Sequence, residues 1–237
     1  MTLLSHDELG QRRAAAIEAI ARAAAKAGRR PEDIELMAVT KGHPAELVRR
    51  AARAGFSLFG ENRVAEGAAK IEAVRPEFPD LTWKLIGPLQ TNKAAAALQW
   101  FAMIESMDRQ RLAERLERLL AGSDRRLPVL LEVNLGGEAT KSGAVPGQVE
   151  ALARTVLTCP HLEVRGVMAV PPFDPDPERS RPYFRQLREL RDRLAGALQR
   201  DLPEISAGMS HDFEIAVEEG ATEVRIGTAL FGPRPAA

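Results

Sequence analysis

Residues 34–55, "IELMAVTKGHPAELVRRAARAG", decide how the rest of the chain reads. The first seven residues are mostly apolar on both parities of a strand, as expected for a parallel sheet covered on both faces. A polar turn follows, and "PAELVRRAARAG" then carries apolar residues at helical spacing. The same order recurs downstream. Further strands are expected at "SLFGE" 57–61, "WKLIG" 83–87, "FAMIES" 101–106, "PVLLEVN" 128–134, "EVRGVMAV" 163–170, "EISAGM" 204–209 and "EVRIGTAL" 223–230. Eight strand–helix units make an α/β fold, a single (β/α)8 TIM-type barrel, the leading architecture. A doubly wound open sheet is the alternative. An extra N-terminal helix is expected over 5–27, capped by Ser5 with Glu8 three positions on and stopped by Gly28. No linker or shift in composition interrupts the chain, so one domain over 1–237 is expected.

Composition narrows the function. Thirty-three basic and 33 acidic residues cancel. That balance predicts no electrostatic grip on nucleic acid or on an anionic membrane. No apolar run has the length of a membrane helix, and the start lacks the order of a signal peptide, so a cytoplasmic protein is expected. Cys159 is the only cysteine, which excludes an internal disulfide. The four histidines form no ligand pair at helical spacing, and no metal site is expected.

In such barrels chemistry sits at the C-terminal ends of the strands. The residues there include Lys41, Asn62 and Arg63, then Ser106, Met107 and Asn134, and later Met168, Pro171, "GMSHD" and Arg225. Two places suggest an anion. "AGMSHDFE" brings Gly208 and Ser210 to the start of a new helix, and "RIGTALFG" brings Gly227 and Thr228 to the end of strand eight. Small residues there expose backbone N–H groups, and the hydroxyls add donors. "GGEATKSG" (136–143) fails as a phosphate loop, because Thr140 stands where glycine is needed, and reads instead as a mobile loop over the site. Lys41 shares a parity with Met37 and Val39. On the barrel-facing side its amine enters the mouth, where partial burial and a nearby arginine would favour a neutral nucleophile. A nucleophilic lysine beside a phosphate site suggests a Schiff base with a phosphorylated aldehyde. Pyridoxal 5′-phosphate (PLP) and a sugar phosphate both fit. Lys26 and Lys70, on helices, and Lys84, in mid-strand, compete poorly.

The motifs "AVTKGHP", "FGENRVAEG", "LIGPLQTNK", "IESMD", "EVNLGGEATKSG", "RGVMAVPP" and "SAGMSHDFEIAVEEGATEVRIGTALFG" resemble, in that order, those of the pyridoxal phosphate homeostasis protein family. The resemblance covers roughly residues 5–232. It implies a fold type III PLP-binding barrel like the N-terminal domain of bacterial alanine racemase. It also implies PLP bound covalently through Lys41 and phosphate contacts from Ser210, Gly227 and Thr228. Arg225 would lie near the pyridine nitrogen, Asn62 along the ring and Met209 nearby. Pro88 and His211 depart from the family's motifs at the rim.

Family members hold and deliver PLP without an established catalytic activity. The expectation is therefore a monomeric, non-catalytic carrier with PLP-dependent apo-enzymes as recipients. A small PLP enzyme such as an amino-acid racemase is the alternative, and a Schiff-base aldolase the third. An arginine at the pyridine nitrogen leaves that nitrogen unprotonated and weakens PLP as an electron sink. The single tyrosine, Tyr183, lies in a helix and is not expected to supply a second base.

Overall fold

The structure is a computed structural model and describes residues 3–138 and 141–233. Helix α1 (His6–Lys26) opens with a reciprocal cap in which the Ser5 hydroxyl accepts from the Glu8 amide and the Glu8 carboxylate accepts from the Ser5 amide. Gly28 follows at φ +65°, ending the helix where the sequence places the stop. Eight strand–helix units come next: β1 (Glu35–Val39) and α2 (Ala45–Arg53), β2 (Leu58–Glu61) and α3 (Val64–Val74), β3 (Thr82–Leu85) and α4 (Ala94–Trp100), β4 (Met103–Met107) and α5 (Gln110–Leu120). The second half runs through β5 (Leu127–Val133) and α6 (Val149–Leu157), β6 (Leu162–Ala169) and α7 (Arg181–Leu198), β7 (Glu204–Ser206) and α8 (Phe213–Glu218), β8 (Glu223–Ile226) and α9 (Thr228–Phe231).

All neighbouring strands pair in parallel, and β8 returns to β1 to close the barrel. At that seam Met37 lies opposite Arg225 and Ala38 opposite Ile226. The open-sheet alternative is thereby excluded. Two strands end sooner than their composition suggests. β8 stops at Ile226, because the amides of Leu230 and Phe231 turn back onto the Gly227 carbonyl (3.0 and 2.9 Å) and wind residues 228–231 into α9. β7 stops at Ser206, because Gly208 adopts φ +89° and the Met209 amide is taken by the Asp212 carboxylate (2.7 Å).

Outward residues of the strands pack under the helices. Phe59, Leu85, Ile104, Leu131 and Val224 join Val48, Ile71, Leu112, Val156 and Leu187 in one buried cluster. Inward residues form a separate packing, with Met103, Leu130 and Met168 in contact inside the barrel.

The N-terminal end of the barrel is ionic. Lys84 Nζ donates to Glu223 Oε2 (2.5 Å) and to Glu35 Oε2 (3.3 Å). Although burial alone would lower its pKa, Glu223 and Glu105 hold the Lys84 ammonium above its ordinary value. Burial, reinforced by Glu223, pushes the Glu105 carboxyl well above its ordinary value; Glu223 is held below its ordinary value against its own burial because Lys84 faces it. Ser206 Oγ stands 2.7 Å from both carboxyl groups and accepts from Arg225 Nη1 (2.6 Å), tying this end to the strand-eight arginine above it.

Strands β6 and β7 meet so closely at Gly166 that a β-carbon there would stand 1.8 Å from the Glu204 carbonyl oxygen. Gly166→Ala is expected to destabilise the protein by about 3 kcal/mol or more, read as a lower urea midpoint.

Candidate functional site

A cavity of about 700 Å³ opens at the C-terminal end of the barrel. All seven residues singled out from sequence border it: Lys41 after β1, Asn62 after β2, Met209 and Ser210 after β7, and Arg225, Gly227 and Thr228 along and after β8. Ser106 and Met107, also at strand ends, do not. Met107 is fully buried in the outer core, and Ser106 spends its hydroxyl on the Gly87 carbonyl (2.7 Å).

Lys41 is presented by a clamp on both flanking peptide groups. The Thr40 carbonyl accepts from Lys70 Nζ (2.7 Å), and the Gly42 amide donates to Glu66 Oε1 (2.5 Å). Lys70 also bonds Glu61 Oε1 and Glu66 Oε1, both at 2.7 Å, and so joins the two halves. Thr40 Oγ1 donates to Glu61 Oε1 (2.6 Å), which turns the Thr40 side chain away from the parity of Val39 and Lys41. Burial raises the Glu61 pKa, and Lys70 and Thr40 oppose the rise; Glu66, despite partial burial, is held low by Lys70 and the Gly42 amide. Lys70 thus has a structural task that its helical position conceals in the sequence.

On the side of β1 away from β2, Ser210 Oγ accepts from the amides of Gly227 (3.3 Å) and Ala229 (3.1 Å), joining the β7 and β8 loops. A β-carbon on Gly227 would approach the Val39 carbonyl oxygen to 3.2 Å, a tight contact that shows how closely this turn lies against β1. Helices α8 and α9 have six and four residues, too short for a strong dipole, so an anion here would depend on amides and hydroxyls. Arg225 is buried and held by Ser206 Oγ below and the Ala169 carbonyl (2.8 Å) to the side.

The cavity also has residues absent from the seven. Glu132 and Asn134 project from β5 and its end, and Ile86 from β3. Glu132 was legible as a lone charge in "PVLLEVN" on the parity of Asn134. Asn134 Nδ2 donates to the carbonyls of Glu138 (2.9 Å) and Lys141 (3.4 Å) and ties down the loop expected to cover the site. Of that loop, Ala139 and Thr140 lie outside the described residues, while Lys141 and Ser142 border the cavity. At the rim, Pro88 lines the wall, and His211 packs against Phe173 with ring centres 5.5 Å apart. Tyr183 stands on α7 and does not border the cavity.

The family model for the alanine racemase N-terminal domain matches residues 13–235. The pyridoxal phosphate homeostasis protein of Aquifex aeolicus is 44% identical over 218 residues, covering 92% of this chain and 95% of that one. The chain belongs to the pyridoxal phosphate homeostasis protein family. Among solved structures, PipY of Synechococcus elongatus with PLP bound superposes with a TM-score of 0.79 at 39% identity, over 90% of this chain and all (100%) of PipY. Alanine racemase of Corynebacterium glutamicum shares the fold, with a TM-score of 0.70 at 18% identity over 100% of this chain and 65% of the racemase. The homeostasis family thus has the alanine racemase barrel, as the motifs imply.

Lys70→Met leaves the buried Glu61 carboxylate without its cation. It is expected to cost about 3–5 kcal/mol in urea unfolding, and adding Glu61→Gln should recover much of the loss.

Proposed function

We propose that this cavity binds PLP covalently through Lys41 and that the protein holds the cofactor for delivery to PLP-dependent apo-enzymes. The observation that carries the reading is convergence: one lysine, two hydroxyls and a buried arginine border one cavity, brought together by the three adjacent strands β7, β8 and β1 of a closed barrel. PLP supplies an aldehyde that condenses with an amine, a phosphate, and a pyridine ring.

The residues present suit these groups. Lys41 offers the amine, with its backbone fixed on both sides by Lys70 and Glu66. Ser210, Thr228 and the amides around Gly227 suit a phosphate. Arg225, permanently charged and anchored to Ser206 and the Ala169 carbonyl, can donate to a pyridine nitrogen but cannot protonate it. Asn62 Oδ1 and Glu132 Oε2 are buried without hydrogen-bond partners among the described residues, and both residues face this cavity, which supports a polar ligand there.

The arginine favours storage over carbanion chemistry, and Tyr183, on α7, is not among the residues that border the cavity. In this reading the chain acts as a monomeric, cytoplasmic, one-domain carrier without robust catalysis of its own. The relatives' shared name and the PLP-bound PipY structure support PLP as the ligand.

Reconstituted protein is expected to show a visible imine absorbance that borohydride reduction fixes on Lys41 by peptide mass mapping. Lys41→Ala should abolish that band, and its survival unchanged would reject the lysine. Ser210→Ala and Thr228→Ala should each weaken PLP retention by about tenfold or more, matching a lost charge-assisted hydrogen bond of ~1.5–3 kcal/mol. Enzyme-like racemisation of a panel of amino acids would replace the carrier reading with the racemase one.

A further inference from the structure

Lys70, Lys84, Glu61, Glu223 and Arg225 each have a partner within 2.8 Å. Glu132 is half-buried as a residue, and its Oε2, like Glu61 Oε2 and Glu105 Oε1, is buried without a hydrogen-bond partner among the described residues; of these three carboxyl groups only Glu132 borders the cavity. The cations that reach it electrostatically are already engaged. Arg225 donates to Ser206 and Ala169, and Arg109 donates to Asp108 and to the Leu89 carbonyl.

A carboxylate buried without a donor is expensive, whereas a neutral carboxylic acid needs only one acceptor for its O–H. Burial, followed by the Asp108 carboxylate, pushes the Glu132 carboxyl up to about 7, with Arg225 and Arg109 pulling the other way. The remaining titratable groups facing the cavity are Lys41 from the end of β1, Lys141 from the loop after β5 and His211 from the loop after β7.

We propose that Glu132 is a ligand-binding acid, which keeps its proton to donate a hydrogen bond to an anionic or lone-pair acceptor of the bound cofactor, so that loading the cavity takes up a proton. The inference rests on the reading of this cavity as a PLP site. It assigns to β5 a donor that neither the phosphate cradle nor Lys41 provides.

The sign follows from the direction of the shift. In the ligand-free protein the group loses its proton as pH rises through about 7. An acceptor held against its O–H favours the protonated form and raises the pKa further in the complex. Binding above neutrality therefore draws a proton from solution, and affinity falls as pH rises, by at most about tenfold per pH unit for one linked proton.

The test uses pyridoxamine 5′-phosphate beside PLP. The amine form has no aldehyde, so its binding does not depend on the chemistry of Lys41. Calorimetric titration at a pH of about 7.5, in two buffers of different ionisation heat, counts protons directly. Wild-type protein is expected to take up a fraction of a proton more than Glu132→Gln with both ligands. Its affinity should fall several-fold more steeply between a pH of about 6.5 and 8.5 than that of the variant, whose slope reports only the ligand's own ionisation. Infrared difference spectra of the wild-type protein, bound minus free, should show a protonated-carboxyl band above neutrality.

Equal proton uptake in the two proteins, or the absence of that band, overturns the inference and leaves the PLP reading standing. Failure of wild-type protein to bind either ligand overturns both. The infrared arm needs no variant, so a poorly folding Glu132→Gln does not remove the test.

Discussion

The pairing of β8 with β1 is the constraint on which the site depends. Lys41 is separated from Ser210, Arg225, Gly227 and Thr228 by most of the chain. Only closure of the ring brings them together, with Met37 set against Arg225 and Ala38 against Ile226. An open sheet with the same strands would leave β1 and β8 at opposite edges. The glycine after β8 is part of the same constraint, since a side chain there would press on the Val39 carbonyl. Barrel closure and assembly of the cavity are one event, and the non-local contact it requires is the kind that forms slowly in folding.

The interior handles charge by pairing it in tiers. At the N-terminal end, Lys84 and Glu223 form the ion pair, and burial and Glu223 push the Glu105 carboxyl beside them well above its ordinary value. Ser206 passes hydrogen bonding from that group to Arg225. On the outer side of β1, Lys70 holds Glu61 and Glu66 and fixes the peptide groups around Lys41. Such buried pairs add little net stability, because desolvation offsets much of the attraction. Their value here is geometric: each keeps a cavity-facing cation or its backbone in one orientation, leaving few alternative arrangements for the mouth of the barrel.

Much of this was legible in the sequence. The recurring change from strand pattern to helical spacing gave the barrel, and the parity of Met37, Val39 and Lys41 gave the inward lysine. The ends of β7 and β8 were less so. "EISAGM" and "EVRIGTAL" contain good strand residues, but Gly208 at positive φ and the turn onto the Gly227 carbonyl override their propensity through tertiary hydrogen bonds. Lys70 was underestimated, although it lies on the stripe of Gly67, Ile71 and Val74 that faces the core. Glu132 was passed over because a single acidic residue in an apolar strand gives no motif. Its meaning appears only when Asp108, from another strand end, is brought near it.

Met103, Leu130 and Met168 meet inside the barrel, and Met37 and Ile86 crowd the space where Gly60 lacks a side chain. This packing fills the barrel interior between the cavity at the C-terminal end and the ionic end. Pro88, Phe173 and His211 border the cavity at the rim. In the carrier reading proposed above, that rim is the face at which a recipient protein would meet the cofactor.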